Sequence, residues 1–312
     1  MKKDPIIFAV ILNYNGYEDS IKCIESFKKM KNKSIRLIVV DNASTDDSGV
    51  KLKDKYPEFH FIFSNKNRGY AAGMNLGIKY VLDNNADFIL IVNNDTVVSE
   101  DFLEPMLNEM DDDNVGIVSG KVYYRENPNV IYCAGGRVDY LRGAGVAEFQ
   151  GEKGEKFANA RREISLAEGC FMMVRKEVFN TIGLFEEKYF MYFEDLDFSL
   201  RVRKLYKIIY NNNSVIYHKS GAGKAWEEFT PLYSYYYTRN RLWFFQNYSF
   251  IYRIYIVFIS IQISLLKSLK MLLYFIDSPK KRIKILKSLT SLWRGTKDGI
   301  FLIMHKKKEL KS

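Results

Sequence analysis

The chain has 312 residues and is 47% apolar, enough for a sizeable core and against wholesale disorder. Its net charge of +10 sits at one end: from Lys267 onward thirteen Lys and Arg face three acids, a surplus of ten, while residues 1–266 carry 34 of each sign. The neutral main body excludes a polyanion partner, so no nucleic acid is expected, and Cys23, Cys133 and Cys170, without C-x-x-C spacing, exclude a zinc ribbon or disulfide scaffold and suit a reducing compartment.

The N-terminus has the outline of a signal peptide. Its apolar run is short, however, starts right after Asp4-Pro5 and lacks a small-residue cleavage site, so a buried strand is expected. Residues 6–12, 35–40, 59–63 and 88–92 are rich in Ile, Val and Phe, are bounded by polar turns, and are predicted strands. Between them, 18–30 places Ile21, Ile24, Phe27 and Met30 at helical spacing, 45–56 opens on Ser, Thr and Asp, and 71–82 forms helix in spite of Gly73 and Gly77. This alternation predicts an α/β fold with a doubly wound, mainly parallel sheet flanked by helices. A helix near 101–110 and a strand at 115–119 continue it. Residues 134–163, rich in Gly and charge without a period, are expected to be a functional lid or disordered. Beyond them follow a strand at 170–174, a helix at 175–182, a helix at 194–205 with Leu196, Leu200 and Leu205 inward, and short closing strands at 207–210 and 215–217. From Tyr233 the chain turns aromatic and helical.

Polar side chains gather where the apolar runs end. Asn13-Tyr14-Asn15-Gly16 follows the first run, and Asp41-Asn42-Ala43-Ser44-Thr45-Asp46 the second. At the tips of adjacent parallel strands such residues form the crevice that takes a nucleotide. Asp41 is suited to bond a pyrimidine N–H or a ribose hydroxyl, and Tyr14 to lie against the base; as caps and turn formers the same residues would need no ligand. Neither loop is G-x-G-x-x-G, so a dinucleotide oxidoreductase is not supported. Asn67-Arg68-Gly69-Tyr70-Ala71-Ala72-Gly73 brings small residues to a helix start, where backbone N–H groups and Arg68 face phosphate.

Two acidic stations follow. Asn93-Asn94-Asp95 ends a strand in oxygen donors, the pattern that holds Mg²⁺ or Mn²⁺ against substrate phosphates, although a plain turn competes. Phe193-Glu194-Asp195-Leu196-Asp197 sets carboxylates among aromatics, which tunes a general base or, equally, caps a helix. Together they point to an enzyme that holds a metal-bound phosphorylated donor at one station and deprotonates an acceptor at the other. His218 is open between a structural residue and a metal ligand. Arg239 and Arg241 are open between a diphosphate clamp and solvated helix residues. Gly221-Ala222-Gly223-Lys224 is no phosphate loop, because Ala225 follows the lysine.

The motifs stand in a telling order: Leu12-Asn13-Tyr14-Asn15-Gly16, Val39-Val40-Asp41-Asn42-Ala43-Ser44-Thr45-Asp46, Asn67-Arg68-Gly69-Tyr70-Ala71-Ala72-Gly73-Met74-Asn75, Val92-Asn93-Asn94-Asp95, Glu168-Gly169-Cys170, and Phe190-Met191-Tyr192-Phe193-Glu194-Asp195-Leu196-Asp197. In that order they resemble the family 2 glycosyltransferases, and most of all the bacterial rhamnosyltransferase-like branch that builds surface polysaccharides. The resemblance implies a GT-A fold, a nucleotide-sugar donor carrying dTDP or UDP, Mg²⁺ or Mn²⁺, and inversion at the anomeric carbon. It implies Asp195 as catalytic base and Asp95 as metal ligand, with His218 completing the metal site in some relatives. Asn13, Tyr14, Asn15, Asp41, Asn67, Arg68 and Asn94 are the implied donor-nucleotide set. Glu194 and Arg239 are candidates for the acceptor or the diphosphate. Asn93 and Asn94 stand where a full D-x-D would have acids, which leaves a second reading as a non-catalytic nucleotide- or glycan-binding relative.

A catalytic domain is expected over 1–245 and a basic amphipathic helical region over 246–312. In that tail the uninterrupted apolar run, 254–266, is well short of the roughly 20 residues that span a bilayer. Lysines alternating with Ile, Leu and Trp293 instead read as an in-plane membrane helix drawn to anionic lipids, with a packed cap or a homodimer interface as the competing readings. A cytoplasmic protein, peripheral on the inner face of the cell membrane and acting on a lipid-linked glycan, is the expectation.

Overall fold

The computed structural model describes residues 5–153, 160–219, 229–277 and 279–305, so the Gly221–Lys224 segment lies outside the described residues. Two compact units emerge: residues 1–138, 145–190 and 194–222 form the first, and residues 139–144, 191–193 and 223–312 the second.

The first unit follows the predicted alternation: β1 (Ile7–Asn13), α1 (Tyr17–Lys28), β2 (Ile35–Asp41), α2 (Ser48–Lys55), β3 (His60–Phe63), α3 (Gly69–Asp83) and β4 (Phe88–Asn93). Then come β5 (Thr96–Val98), α4 (Leu103–Glu109), β6 (Val115–Tyr124), β7 (Asn127–Cys133), β8 (Gly136–Asp139), β9 (Ala144–Ala147), β10 (Arg162–Glu163), β11 (Phe171–Arg175), α5 (Lys176–Ile182), α6 (Glu194–Val202) and β12 (Lys207–His218). The main sheet runs β10-β12-β6-β11-β4-β1-β2-β3, with β5 on β12 and β7 on β6. Strands β3, β2, β1 and β4 are parallel, whereas β11 runs antiparallel to both β4 and β6.

Every residue of β1 is buried, as a central parallel strand covered on both faces must be. Its side chains alternate between two cores: Ile7, Ala9 and Ile11 join the cluster with Cys23, Ile24 and Phe27 of α1, and Phe8, Val10 and Leu12 the cluster with Met74 and Ile78 of α3. Gly73 and Gly77 are the reason α3 sits so close, since a Cβ at either would overlap Leu12 or Val10. Three expectations need correction. Leu205 is 65% exposed rather than inward, because α6 ends at Val202. The two short closing strands are one strand, β12, bulged between Asn211 and Val215. Within 134–163 the described residues are folded: β8 pairs with β9, and β10 edges the main sheet.

The second unit is helical: α7 (Pro231–Phe244), α8 (Phe250–Asp277) and α9 (Arg282–Met304). Thr230 caps α7 by accepting the Tyr233 N–H, with Pro231 at the first helical position. Gly295 and Gly299 let α9 approach the α7 backbone, where a Cβ would meet the Tyr235 carbonyl or Leu242. Asn240, fully buried, donates from Nδ2 to the carbonyls of Met191 and Tyr192, each at 2.8 Å, and so holds a turn in which Tyr192 and Phe193 have φ of 67° and 76°. By length and composition α8 is sufficient to cross a membrane.

Candidate active site

Parallel pairing sets Asn13 beside Asp41 at the ends of β1 and β2. Both are buried. Asn13 Nδ2 donates to Asp41 Oδ1 at 2.8 Å and to Ser48 Oγ at 2.9 Å, and Ser44 adds its hydroxyl (2.6 Å) and its N–H (3.0 Å) to the same carboxylate. Asp41 therefore organises its own loop, and Tyr14, 45% exposed, is the free surface beside it. Asn15 ties across to Thr45, accepting its N–H at 2.7 Å. Asn42 bonds Asn67 (3.1 Å), the Gly69 carbonyl (3.0 Å) and the Arg68 N–H (3.3 Å), which knits the second and third loops together. The Arg68 side chain turns to Glu187, 2.8 Å away. Asn94 points back to Ser20 of α1 at 2.9 Å.

At the end of β4 the short strand β5 pairs with β12, with Thr96 opposite His218. That pairing carries the imidazole to Asp95, Nε2 to Oδ1 at 3.1 Å. Among the described residues, Asn93 Oδ1 is buried without a hydrogen-bond partner, and buried Asp95 Oδ1 has only the His218 contact, an imidazole nitrogen that also lies 3.3 Å from Asn93 Nδ2. Two such buried oxygens beside an imidazole fit a hard divalent cation whose remaining ligands come from a diphosphate. No group of three or more His, Cys, Asp or Glu able to hold a metal occurs among the described residues. Arg125 and Lys219, which the sequence reading passed over, stand at the same place. The Arg125 guanidinium (3.3 Å) and the Lys219 backbone N–H (3.0 Å) donate to the Asp95 carbonyl, and both side chains pair with Asp19.

The second station meets the first through β11. The Asn93 N–H donates to the Cys170 carbonyl at 3.2 Å, the Gly169 N–H donates to Asp195 Oδ2 at 3.1 Å, and the Leu196 N–H donates to Asp195 Oδ1 at 2.8 Å. Tyr70 donates to the Gly169 carbonyl at 2.6 Å, and both Tyr70 and Cys170 feel the charges of Asp95 and Asp195. The two carboxylates share one neighbourhood. Arg239 lies in the helical unit, where its guanidinium bonds Asn240 Oδ1 and stacks on Tyr236, 4.8 Å from the ring centre; Arg241 is buried over Tyr237.

Three carboxyls crowd this end of α6, and they are not equivalent. Burial raises Asp195 above the ordinary carboxylate range, against the pull of the Gly169 and Leu196 N–H groups. Glu194 is pushed much higher by burial and the Asp195 charge, and its Oε2 has no partner among the described residues. Glu168 is pushed up to about 8 by burial and by Asp195, with a hydrogen bond involving Cys133 pulling the other way. Asp195 alone of the three accepts from both the Gly169 and Leu196 N–H groups, which favour its charged form where burial opposes it.

Glu168 was missed as a candidate. The available signal was an acid directly before an apolar strand, and it becomes informative only once that strand is known to run antiparallel. Its raised value has a testable sign. The folded state holds the Glu168 proton from its ordinary 4.5 up to about 8, so the stability it contributes is full below the lower value and lost as pH rises through the upper one. Replacing Glu168 with Gln is expected to raise Tm more at pH 8 than at pH 4.5, by a difference equivalent to at most about 5 kcal/mol. Thermal melts across pH check this, and a difference of the opposite sign refutes it.

A family model described as glycosyl transferase family 2 matches residues 8–183. The chain belongs to glycosyl transferase family 2. This family 2 chain is 27% identical over 196 residues to the low-salt glycan biosynthesis hexosyltransferase Agl10 of Haloferax volcanii, covering 62% of this chain and 61% of the relative. It is 26% identical over 198 residues to the dTDP-rhamnosyl transferase RfbF of Shigella flexneri, covering 62% of each, so less than two thirds of either relative is spanned. Both the family and its rhamnosyltransferase-like branch are as the motif order implied. The mannosyltransferase PcManGT of Pyrobaculum calidifontis, solved with GDP-Man and Mn²⁺, superposes with a TM-score of 0.55 at 12% identity, covering 97% of this chain and 85% of that one. The fold is GT-A.

Proposed function

We propose that this family 2 chain is an inverting hexosyltransferase. It moves rhamnose or a similar hexose from a dTDP- or UDP-linked donor to a hydroxyl of a lipid-linked or growing surface-polysaccharide acceptor. The observation that carries this reading is Asp195: a buried carboxylate that accepts the Gly169 and Leu196 N–H groups, in one neighbourhood with Asp95.

The acceptor hydroxyl lies against Asp195, which takes its proton as the oxygen attacks the anomeric carbon; the bond to the diphosphate breaks and its electron pair leaves on the diphosphate oxygen. Attack opposite the leaving group inverts the centre. Asp95 and His218, with Asn93 beside them, would hold Mg²⁺ or Mn²⁺, which when bound neutralises leaving-group charge. Arg125 and Lys219 add fixed positive charge there, and Arg239 remains a candidate for the diphosphate. Tyr14 offers its face to the base. Asn13, Asn15, Asp41, Asn67 and Asn94 build the loops around the nucleotide, and Arg68 would leave Glu187 to reach a phosphate. Glu194 donates a hydrogen bond toward the acceptor. The working place is the cytoplasmic face of the membrane, reached through the C-terminal helices.

A panel of nucleotide-sugars incubated with Mn²⁺ or Mg²⁺ tests this. Hydrolysis or transfer is expected with dTDP-rhamnose or a UDP-hexose, and not after chelation. A nucleotide that binds but is never consumed, with any acceptor, would make the chain a non-catalytic binder, the reading that Asn93 and Asn94 in place of acids favours.

A further inference from the structure

The helical unit carries a surface that sugar transfer does not use. Between Phe250 and Ile276 the charged residues are Arg253, Lys267 and Lys270, and each is engaged inside its own unit. Arg253 donates to the Ile303 carbonyl at 2.9 Å, the Lys267 ammonium lies 5.1 and 5.2 Å from the ring centres of Tyr233 and Tyr237, and Lys270 lies 5.4 Å from that of Phe229. The opposite side of α8 presents Ile254, Phe258, Leu265, Leu269, Leu272 and Ile276, all exposed, as one helical stripe. Beside its first turns, Tyr252 and Tyr255 donate to the carbonyls of Tyr140 and Leu141 at 2.5 and 2.9 Å. They fix the β8–β9 hairpin tip against the helix and leave Leu141 74% exposed.

An apolar face of this extent marks a partner or a membrane. Charge decides between a second copy and a bilayer. Lys280, Lys281, Arg282, Lys284 and Lys287 after α8 are all positive, while Arg142 on the tip is paired with Asp139, and a two-fold dimer that brought the lysine-rich ends together would oppose like charges. An anionic lipid surface instead attracts them.

The packing of α9 then sets the orientation. α8 has 28 residues, about 42 Å of helix, enough to cross. Yet α9 runs antiparallel beside it: Ser264 Oγ meets Thr296 Oγ1 at 3.0 Å, and Trp293 Nε1 donates to Ser268 Oγ at 3.1 Å. Arg294, with its side chain 75% exposed, and Lys297 are therefore level with the middle of α8. A crossing α8 would take both, with the Asp298 that pairs with Arg294, into hydrocarbon, where charged side chains are costly. Lying flat leaves them among headgroups.

We infer that the outer face of α8 and the hairpin tip 139–144 form one seat in the headgroup–acyl boundary of an anionic bilayer, with α8 in the membrane plane. This deepens the membrane contact proposed above and is independent of the transfer chemistry. The full chain, floated with vesicles of phosphatidylcholine alone or mixed with phosphatidylglycerol, is expected to bind the anionic set at least about tenfold better and to be stripped by alkaline carbonate. Phe258→Glu with Leu265→Glu, or Leu141→Glu alone, is expected to lower binding about tenfold or more. Lys280→Glu with Lys284→Glu should remove the anionic preference. Carbonate-resistant binding would make α8 a crossing helix. Unchanged vesicle binding in the Phe258/Leu265 variant, together with conversion of a dimer to a monomer, would assign the face to a second copy. Either result, or no binding to either vesicle, overturns the seat. Donor hydrolysis measured in parallel reports separately on the transfer reading: its absence in a chain that binds vesicles as described refutes that reading and leaves the seat standing.

Discussion

Asp195→Asn is expected to lower the turnover of sugar transfer by about 10²–10⁴-fold while donor-nucleotide affinity stays within about twofold. Asn keeps the size of the side chain and one acceptor oxygen, so one of the Gly169 and Leu196 N–H bonds survives. What it removes is the carboxylate of the three whose charged form two backbone N–H groups favour. Burial already opposes that charge, so a neutral residue should cost little folding stability at neutral pH. Single-turnover transfer, calorimetric donor binding and a thermal melt on one preparation separate the outcomes. Undiminished turnover would remove Asp195 from its role, whereas a joint collapse of binding and Tm would show only a damaged fold.

Asp95→Ala should abolish the metal response of donor hydrolysis and reduce its rate by about 10²–10³-fold, the scale of losing one electrostatic stabiliser of a leaving group. The variant deletes the carboxylate whose buried Oδ1 faces the His218 imidazole at 3.1 Å and leaves His218 alone beside Asn93. Mn²⁺ binding followed by electron paramagnetic resonance, with and without nucleoside diphosphate, supplies a readout apart from turnover. Wild-type Mn²⁺ affinity in the variant would refute the assignment of Asp95. His218→Ala is expected to weaken Mn²⁺ less, because an imidazole contributes no formal charge.

Residue order alone made the parallel half of the fold readable. The Ile and Val runs at 7–13 and 35–41, each ending in Asn or Asp, carry both the strand signal and the location of the crevice, since side-chain period and turn chemistry are local properties. The Asn93-Asn94-Asp95 station was visible for the same reason. Strand direction was not, because it depends on pairing partners remote in sequence. β11 runs antiparallel to β4, so its entrance, not its exit, lies at the crevice, and this turns Glu168 from a motif residue without an assigned role into a neighbour of Asp195. His218 reaches Asp95 through the pairing of β5 with β12, across more than a hundred residues that no local pattern spans.

The C-terminal helices divide the same way. Composition announces an apolar, basic tail, because hydropathy and charge belong to each residue by itself. Whether Lys267 interrupts a membrane-facing surface depends on which way it points, and that is set by the rings of Tyr233 and Tyr237 on another helix. Leu205 gives the converse case: a leucine at helical spacing lies exposed because its helix has already ended. Local chemistry names the candidates for core, cap and charge, and contacts between distant segments determine which of them share a cleft.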